Sequence, residues 1–429
     1  MNDDERRPLT KNIRPGRELL TIDDYERTGG YQGLRKAIRE MSPREVVDEV
    51  VDAKLRGRGG AGFPTGIKWR SVPTGPEWPL KRYFIGDADE MEPGAFKDRM
   101  LLEGDPHQFI EGLIISSYAT EVQVAYIFIR REYTRAAELL SRALQEAYDR
   151  NYAGRNILGS DYSLDVHLHI SCGRYICGEA TAMTSSLEGK RAIPLSRPPR
   201  ESECGLWGMP TVVDNVETLC NVPHIVRNGA AWYRGLSLCA DGGTKIYGVS
   251  GRVKRPGVWE LPMGTPLREI IEEHAGGMAE GYRLRAVIPG GASTEFVAPE
   301  QIDVAMDFDS VAGVGSRLGT GTAIVLDDRT CPVGAVHNLI KFFARESCGW
   351  CTPCREGLAW LSQILADIEM GRGRDEDLGI LASHTRLLWL GRTYCALAPG
   401  AMEPLKSALH MFGEDFRQHI RDGRCPWRS

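Results

Sequence analysis

Several absences narrow the class of this chain before any motif is considered. No stretch comes near the roughly 18 consecutive apolar residues that a membrane-spanning helix requires. Membrane association is therefore expected only through partner subunits. There is no basic excess either. The 53 Lys and Arg face 58 Asp and Glu, a formal net charge of −5. That balance argues against nucleic acid as a main partner. Met1 to Arg7 is polar and acidic with no apolar run behind it, so no export signal is expected. Internal repeats and low-complexity tracts are missing, which excludes solenoids and fibrous arrays. Without export, the 11 cysteines are expected to be reduced thiols rather than disulfides. Cys204, Cys220, Cys239, Cys331 and Cys425 are scattered and are read as inert.

What is present fits a globular chain of two to four domains: 429 residues, 42% of them hydrophobic. Residues 1–239 read as an α/β unit. Ser42-Pro43-Arg44-Glu45 is a capping box ahead of Val46, Val47, Val50 and Val51 at helical spacing. Asp105-Pro106 and Thr134 are expected to cap further helices. Tyr83–Ile85, Ala125–Ile129 and Leu164–Ile170 read as strands, and their alternation with helices implies a largely parallel sheet. Residues 240–332 read as a small β domain. Its strands are expected at Lys245–Val249, Gly257–Leu261, Leu284–Ile288 and Ala323–Leu326, with a lone helix at Leu267–His274. Residues 333–429 read as a helical bundle.

Three segments carry chemistry. Cys348-Gly349-Trp350-Cys351-Thr352-Pro353-Cys354 lets three thiolates converge on one face of an iron–sulfur cubane, with the fourth ligand supplied from elsewhere. Cys395 is the best candidate for that ligand, and Cys425, in a polar tail expected to be loose, is the other. A thioredoxin-type site would need a sheet around the motif, and structural zinc prefers paired ligands. Gly57-Arg58-Gly59-Gly60-Ala61-Gly62 satisfies G-x-G-x-x-G, yet a helix precedes it, and Phe63-Pro64-Thr65-Gly66 is not expected to open a helix at once. A glycine cradle for a phosphate or flat ring remains, with Lys68 near enough to supply a counter-charge. The loop Gly86 to Gly94 holds four carboxylates, suited to a solvated turn, polar ligand recognition or a hard cation.

Taken together these segments resemble the flavin-carrying, NADH-oxidising subunit of respiratory complex I over nearly the whole chain. The matching stretches are Arg56 to Gly66, Ala88 to Glu90, Glu92 to Gly94, Lys97-Asp98-Arg99, Tyr175 to Glu179, Ser186 to Gly189, Asn215 to Thr218 and Glu346 to Gly357. The resemblance implies a Rossmann-like domain, a β-grasp-like domain and a helical bundle carrying a [4Fe–4S] cluster on Cys348, Cys351, Cys354 and Cys395. It implies FMN among Gly57, Gly59, Gly60, Lys68, Asp87, Asp89, Glu90, Tyr175, Gly178, Asp214, Asn215 and Thr218. NADH would lie over the flavin, with Phe63 near its adenine, and Glu90 and Glu179 would be the catalytic carboxylates. The implied partners are a small [2Fe–2S] subunit of the E type and a large iron–sulfur subunit of the G type, on the cytoplasmic side of the inner membrane. The same kind of chain serves as diaphorase in NAD-linked hydrogenases and formate dehydrogenases. The absence of extra redox domains leads to the respiratory version as the expectation. Five positions depart from the family pattern: Asp87 and Asp214 where Asn is usual, Ala180 where a second Glu is usual, Arg200 where an aromatic is common, and Cys172 where a small residue is usual.

Overall fold

The computed structural model describes residues 6–427 except 15, 17–19, 76–77 and 79–80, so the first five residues of the acidic lead-in lie outside the described residues. The expected capping box forms. Ser42 Oγ accepts from Glu45 N, the Glu45 carboxylate accepts from Ser42 N at 2.7 Å, and the helix Pro43–Asp52 turns Val46, Val47 and Val50 inward.

The first sheet is parallel throughout. Its strands are β1 (Tyr83–Ala88), β2 (Val124–Ile129), β3 (Asp165–Ile170) and β4 (Thr211–Asn215), in the order β3-β2-β1-β4. The central β2 is apolar almost throughout, as a strand covered on both faces must be. The edge strand β3 alternates, with Val166 inside and Asp165 and His167 outside. β4 was not expected, because Thr-Val-Val-Asp-Asn is too short to show a period. Asp105 caps the helix Pro106–Ala119 through Gln108 N. That helix is buried nearly all round because it packs against the helix Val216–Asn228 as well as β1. Thr134 does not cap the next helix. It is the first residue of Thr134–Asp149, and Tyr133 holds the cap position without a side-chain bond. The Tyr133 hydroxyl instead donates to Glu90.

The second sheet is mixed: β5 (Thr244–Gly251), β6 (Gly257–Pro262), β7 (Leu284–Ile288) and β8 (Thr322–Asp327), in the order β6-β5-β8-β7, with only β5 and β8 parallel. One helix was expected here. The Leu267–Glu269 turn widens into a π-helix at Ile270–His274, and a second short helix follows at Phe308–Gly313. The bundle comprises Pro332–Glu346, Thr352–Glu369, Asp375–Leu387, Leu397–Met411 and Gly413–Asp422. Its apolar core is continuous with both sheets: Phe343, Leu361 and Met402 share one cluster with Ile85, Phe128 and Ile288. Burial of that shared surface, at roughly 25 cal/mol per Å², couples the bundle to the ends of the strands.

Candidate functional site

In the first sheet, β1 has β2 on one side and β4 on the other. The crevice beyond the carboxyl ends of such strands is where open parallel sheets bind ligands. A cavity of ≈ 720 Å³ opens there. Its wall takes Gly59, Gly60 and Ala61 from the glycine loop and Asp87, Asp89 and Glu90 from the acidic loop. It continues through Tyr175, Gly178, Glu179 and Ala180, then Asn215 at the end of β4. Ser293, Arg317 and Thr320 come from the second sheet's loops, and Thr393 to Leu397, with Cys395, closes the far side.

The glycine loop is held by its own backbone. Gly57 N donates to Phe63 O at 2.9 Å, and Arg58 N donates to Thr218 Oγ1 at 2.8 Å. The Arg58 guanidinium is buried and donates to Gly242 O and Thr244 O, fastening the loop to the start of β5. A Cβ on Gly59 would sit 3.1 Å from Asn215 Cβ, and Gly60 has φ +123°, so only glycine keeps this surface open. Contrary to expectation, a helix begins immediately after the loop: Thr65–Arg70, with Pro64 in the cap position. Proline is tolerated there because the helix asks nothing of its missing N–H.

Five of the expected ligand residues lie outside the cavity wall. Gly57 and Thr218 act from behind, through the bonds just given. Phe63 is 52% exposed. Lys68 Nζ is paired with Asp214 Oδ1 at 2.6 Å and donates to Val213 O at 2.8 Å, while Trp69 Nε1 donates to Asp214 Oδ2 at 2.7 Å. Asp214 therefore pairs with the cation that was expected to face the flavin.

The acidic loop is crowded with charge. Burial, then the neighbouring Asp89 charge, pushes Asp87 up to about 7, although Asp87 accepts from Asp89 N. Burial pushes Asp89 up to about 6 against a hydrogen bond from Ser171 Oγ. Asp89 Oδ2 is buried with no partner, which is an acceptor waiting for a donor. Glu90, expected to be catalytic, has its carboxylate committed: it accepts from Lys97 N, Asp98 N, Arg99 N and Tyr133 Oη, anchoring the start of the helix Lys97–Gly104. Burial and Asp98 push it up to about 7. Glu179 caps the helix Ala180–Leu187 through Ala182 N at 2.8 Å and pairs with Arg197 at 3.1 Å. Arg200, unlike Arg197, does not reach the cavity wall.

Lys97 is a site residue that sequence alone marks only as part of a motif. Its buried ammonium contacts Asp98 at 2.6 Å, Glu217 at 2.9 Å and Asn215 Oδ1 at 3.1 Å. Burial alone would discharge it, but the carboxylates of Asp98, Glu217 and Glu90 outweigh that and keep it charged. Ser293, Arg317 and Thr320 have no local signature, because they reach the cavity only once the second sheet is docked.

The cysteine loop follows the helix Pro332–Glu346. Gly349, at φ +77°, reverses the chain between Cys348 and Cys351, and Cys354 enters the first turn of Thr352–Glu369. Arg191 donates to Cys348 O and Arg355 to Gly349 O, fixing the loop from both sides. Burial pushes the Cys395 thiol up to about 12, and the neighbouring Cys354 and Cys348 add to it. Cys354 lies in one apolar cluster with Cys348, Cys351 and Cys395 packed against it, and thiolates are the ligands an iron–sulfur core takes. The donor set fits the cluster. Glu346 ties this loop to the cavity: it accepts from Arg174 Nε at 2.9 Å and Tyr175 N at 3.1 Å. Cys425 is not part of this group, and among the described residues its tail is packed, with Trp427 stacked on His419. Cys425 is buried beside His419 and the half-buried Cys331.

A glycine cradle and an orphaned acceptor, lining a cavity that Cys395 also closes, define a flavin and iron–sulfur protein. Comparison agrees. Residues 50–224 match the Nuo51 FMN-binding domain, 246–297 the SLBB domain, and 334–419 the NADH-ubiquinone oxidoreductase-F iron–sulfur binding region. The F subunit of the NADH-quinone oxidoreductase of Escherichia coli (strain K12) is 49% identical over 417 residues, 97% of this chain and 94% of that protein. The F 2 subunit of the same enzyme in Rhizobium meliloti is 49% identical over 420 residues, 98% and 99%. The chain belongs to the family of NADH-quinone oxidoreductase F subunits. Among solved structures, an NAD⁺-reducing [NiFe]-hydrogenase in the H₂-reduced state superposes with TM-score 0.80 at 34% identity, over 91% of this chain but only 64% of that one.

Proposed function

We propose that this chain is the electron-entry subunit of a complex I-type enzyme, taking hydride from NADH onto FMN and passing single electrons to a [4Fe–4S] cluster and on toward quinone. The observation that carries the reading is one cavity whose wall includes both the glycine and acidic loops and Cys395. FMN would lie against Gly59 and Gly60, with Asp89 Oδ2 taking a hydrogen bond from a ring N–H or a ribityl hydroxyl. Lys97 and Asn215 would stand at the end of β4, and Asp87 and Tyr175 on the opposite walls. The bound flavin supplies the conversion of a two-electron donor into single-electron steps, and the protein supplies placement and charge. Glu179, Ala180 and Arg197 are the nicotinamide-side residues, and Glu90 is a positioning residue through its hold on the Lys97 helix. Cys348, Cys351, Cys354 and Cys395 hold the cluster. The functional division runs at 1–239, 240–332 and 333–429.

Two partners complete the proposal: a small [2Fe–2S] subunit of the E type and a large iron–sulfur subunit of the G type. Exposed Trp350, Leu387, Leu390 and Tyr394, with Trp350 edge-on to Tyr394, form an apolar surface beside the cluster loop that suits the large one. No described helix is long and apolar enough to cross a membrane. Attachment at the cytoplasmic side of the inner membrane would therefore run through those partners. The likeness to the hydrogenase chain keeps a diaphorase role as the second reading.

The test is NADH-dependent reduction of ferricyanide by the purified chain with its small partner, alongside FMN content. Turnover that scales with bound FMN supports the proposal. Stoichiometric FMN without NADH turnover contradicts it.

A further inference from the structure

We propose that Cys331, His419 and Cys425 form a second metal site, separate from the iron–sulfur cysteines, that binds zinc with water as fourth ligand. Three observations carry it. First, the ligand atoms Cys331 Sγ, His419 Nε2 and Cys425 Sγ all lie within 4.8 Å of one another, although the residues come from opposite ends of the bundle. Cys331 Sγ and His419 Nε2 are 3.3 Å apart. A sulfur and a nitrogen on one tetrahedral zinc are about 3.5 Å apart, given Zn–S near 2.3 Å and Zn–N near 2.0 Å.

Second, the histidine is set for ligation. Its Nδ1 stands 2.7 Å from Asp415 O, a carbonyl that can only accept, so the ring proton is on Nδ1. The Nε2 lone pair then faces the Cys331 sulfur and accepts from its thiol, a proton that a metal would displace. Anchoring the remote ring nitrogen on a carbonyl is how metal-bound histidines are commonly oriented. The His419 ring is fully buried and stacked on Trp427 at 5.7 Å and 11°, which fixes its plane.

Third, Cys331 is placed where a metal would hold it as a thiolate. It is the N-cap of the 15-residue helix Pro332–Glu346, and Gly334 N points at its sulfur at 3.3 Å. A helix N-terminus favours negative charge. A dication between the two sulfurs adds to that, because a coordinating thiol is deprotonated outright. Cys331 is half-buried, which leaves one side open for water, while Cys425 and His419 are buried. Binding would release two thiol protons to solvent and leave a neutral Zn(S⁻)₂N centre.

The site would be structural. It joins the start of the first bundle helix to the last helix and its tail, where Arg285 of β7 also lies over the Trp427 ring at 5.1 Å and contacts Asp415. Zinc there would lock the terminal helix against the second sheet without touching the electron path.

The experiment measures zinc and iron in the cluster-loaded full chain after passage over a weak chelator, together with a zinc-edge X-ray absorption spectrum. The expected result is about one zinc per chain with two sulfurs near 2.3 Å and one nitrogen near 2.0 Å. Cys331→Ser and Cys425→Ser should each lose the zinc and leave the iron content unchanged. The spectrum needs no variant and decides the matter if a substitution prevents folding. Four sulfur neighbours would put the zinc in the cluster site and overturn the proposal. So would a Cys331–Cys425 disulfide by peptide mapping, or a zinc-free chain from zinc-replete growth.

Discussion

Asp87 and Asp214 are both carboxylates where the resemblance leads one to expect an amide, yet the structure treats them oppositely. Asp214 has Lys68 and Trp69 as partners. Asp87 faces the cavity with no cation in contact, and burial with Asp89 pushes it up to about 7 from an ordinary 3.8. The folded state therefore binds more protons than the unfolded state between pH ~4 and ~7, so stability contributed by this site falls as pH rises through that window. After discounting for the open side of the cavity, Asp87→Asn should stabilise the flavin-free chain by roughly 2 kcal/mol at pH 8 and hardly at pH 4.5. Thermal unfolding across that range checks it, and equal gains at both pH values would contradict it. Lys68→Ala should cost about 3 kcal/mol, because Asp214 would be left buried and uncompensated. Adding Asp214→Asn should recover most of that loss and the flavin retention with it. Flavin loss that Asp214→Asn fails to rescue would instead show a direct contact from Lys68.

At the scale of the element, the helix Ala180–Leu187 starts at Glu179, whose carboxylate is divided between capping Ala182 N and holding Arg197. Ala180 leaves the cavity wall beside it without a second carboxylate. A carboxylate there would repel a 2′-phosphate, and Arg197 could meet one. Ala180→Glu should therefore raise the NADH/NADPH ratio of kcat/KM by about tenfold, a charge-assisted contact being worth about 1.5 kcal/mol or more. An unchanged ratio would leave Ala180 as mere space. Elements with a strong local signature were legible in the sequence: the Ser42 box, Asp105-Pro106, the apolar β2, and the Cys348–Cys354 loop. Elements set by tertiary partners were not. Pro64 opens a helix that the sequence argued against, and β4 is too short to show alternation. The commitment of Lys68 to Asp214 spans 146 residues of sequence, and no local pattern announces it.

For the whole molecule, the critical residue is Glu217, at the junction of the two sheets. Its carboxylate meets Lys97 at 2.9 Å and Lys245 of β5 at 3.0 Å and accepts from Ile246 N. Burial opposes its charge, but Lys245, Lys97 and Arg58 outweigh burial and hold it down at about 2. Stability from this group is present above the ordinary carboxylate range and is lost as pH falls toward 2. Glu217→Gln should loosen the second sheet from the cavity, seen as at least about 3 kcal/mol lost in denaturant unfolding. The three parts thus meet around one cavity, across which electrons would pass from flavin to cluster. The most direct test is an anaerobic NADH titration of the FMN- and iron-loaded chain, with flavin absorbance and the low-temperature EPR of the cluster read on the same sample. The expected result is flavin bleaching and a reduced-cluster signal in the unsubstituted chain, and bleaching without that signal in Cys395→Ala. Unchanged iron, sulfide and EPR in Cys395→Ala, or a flavin that NADH does not bleach, would contradict the account.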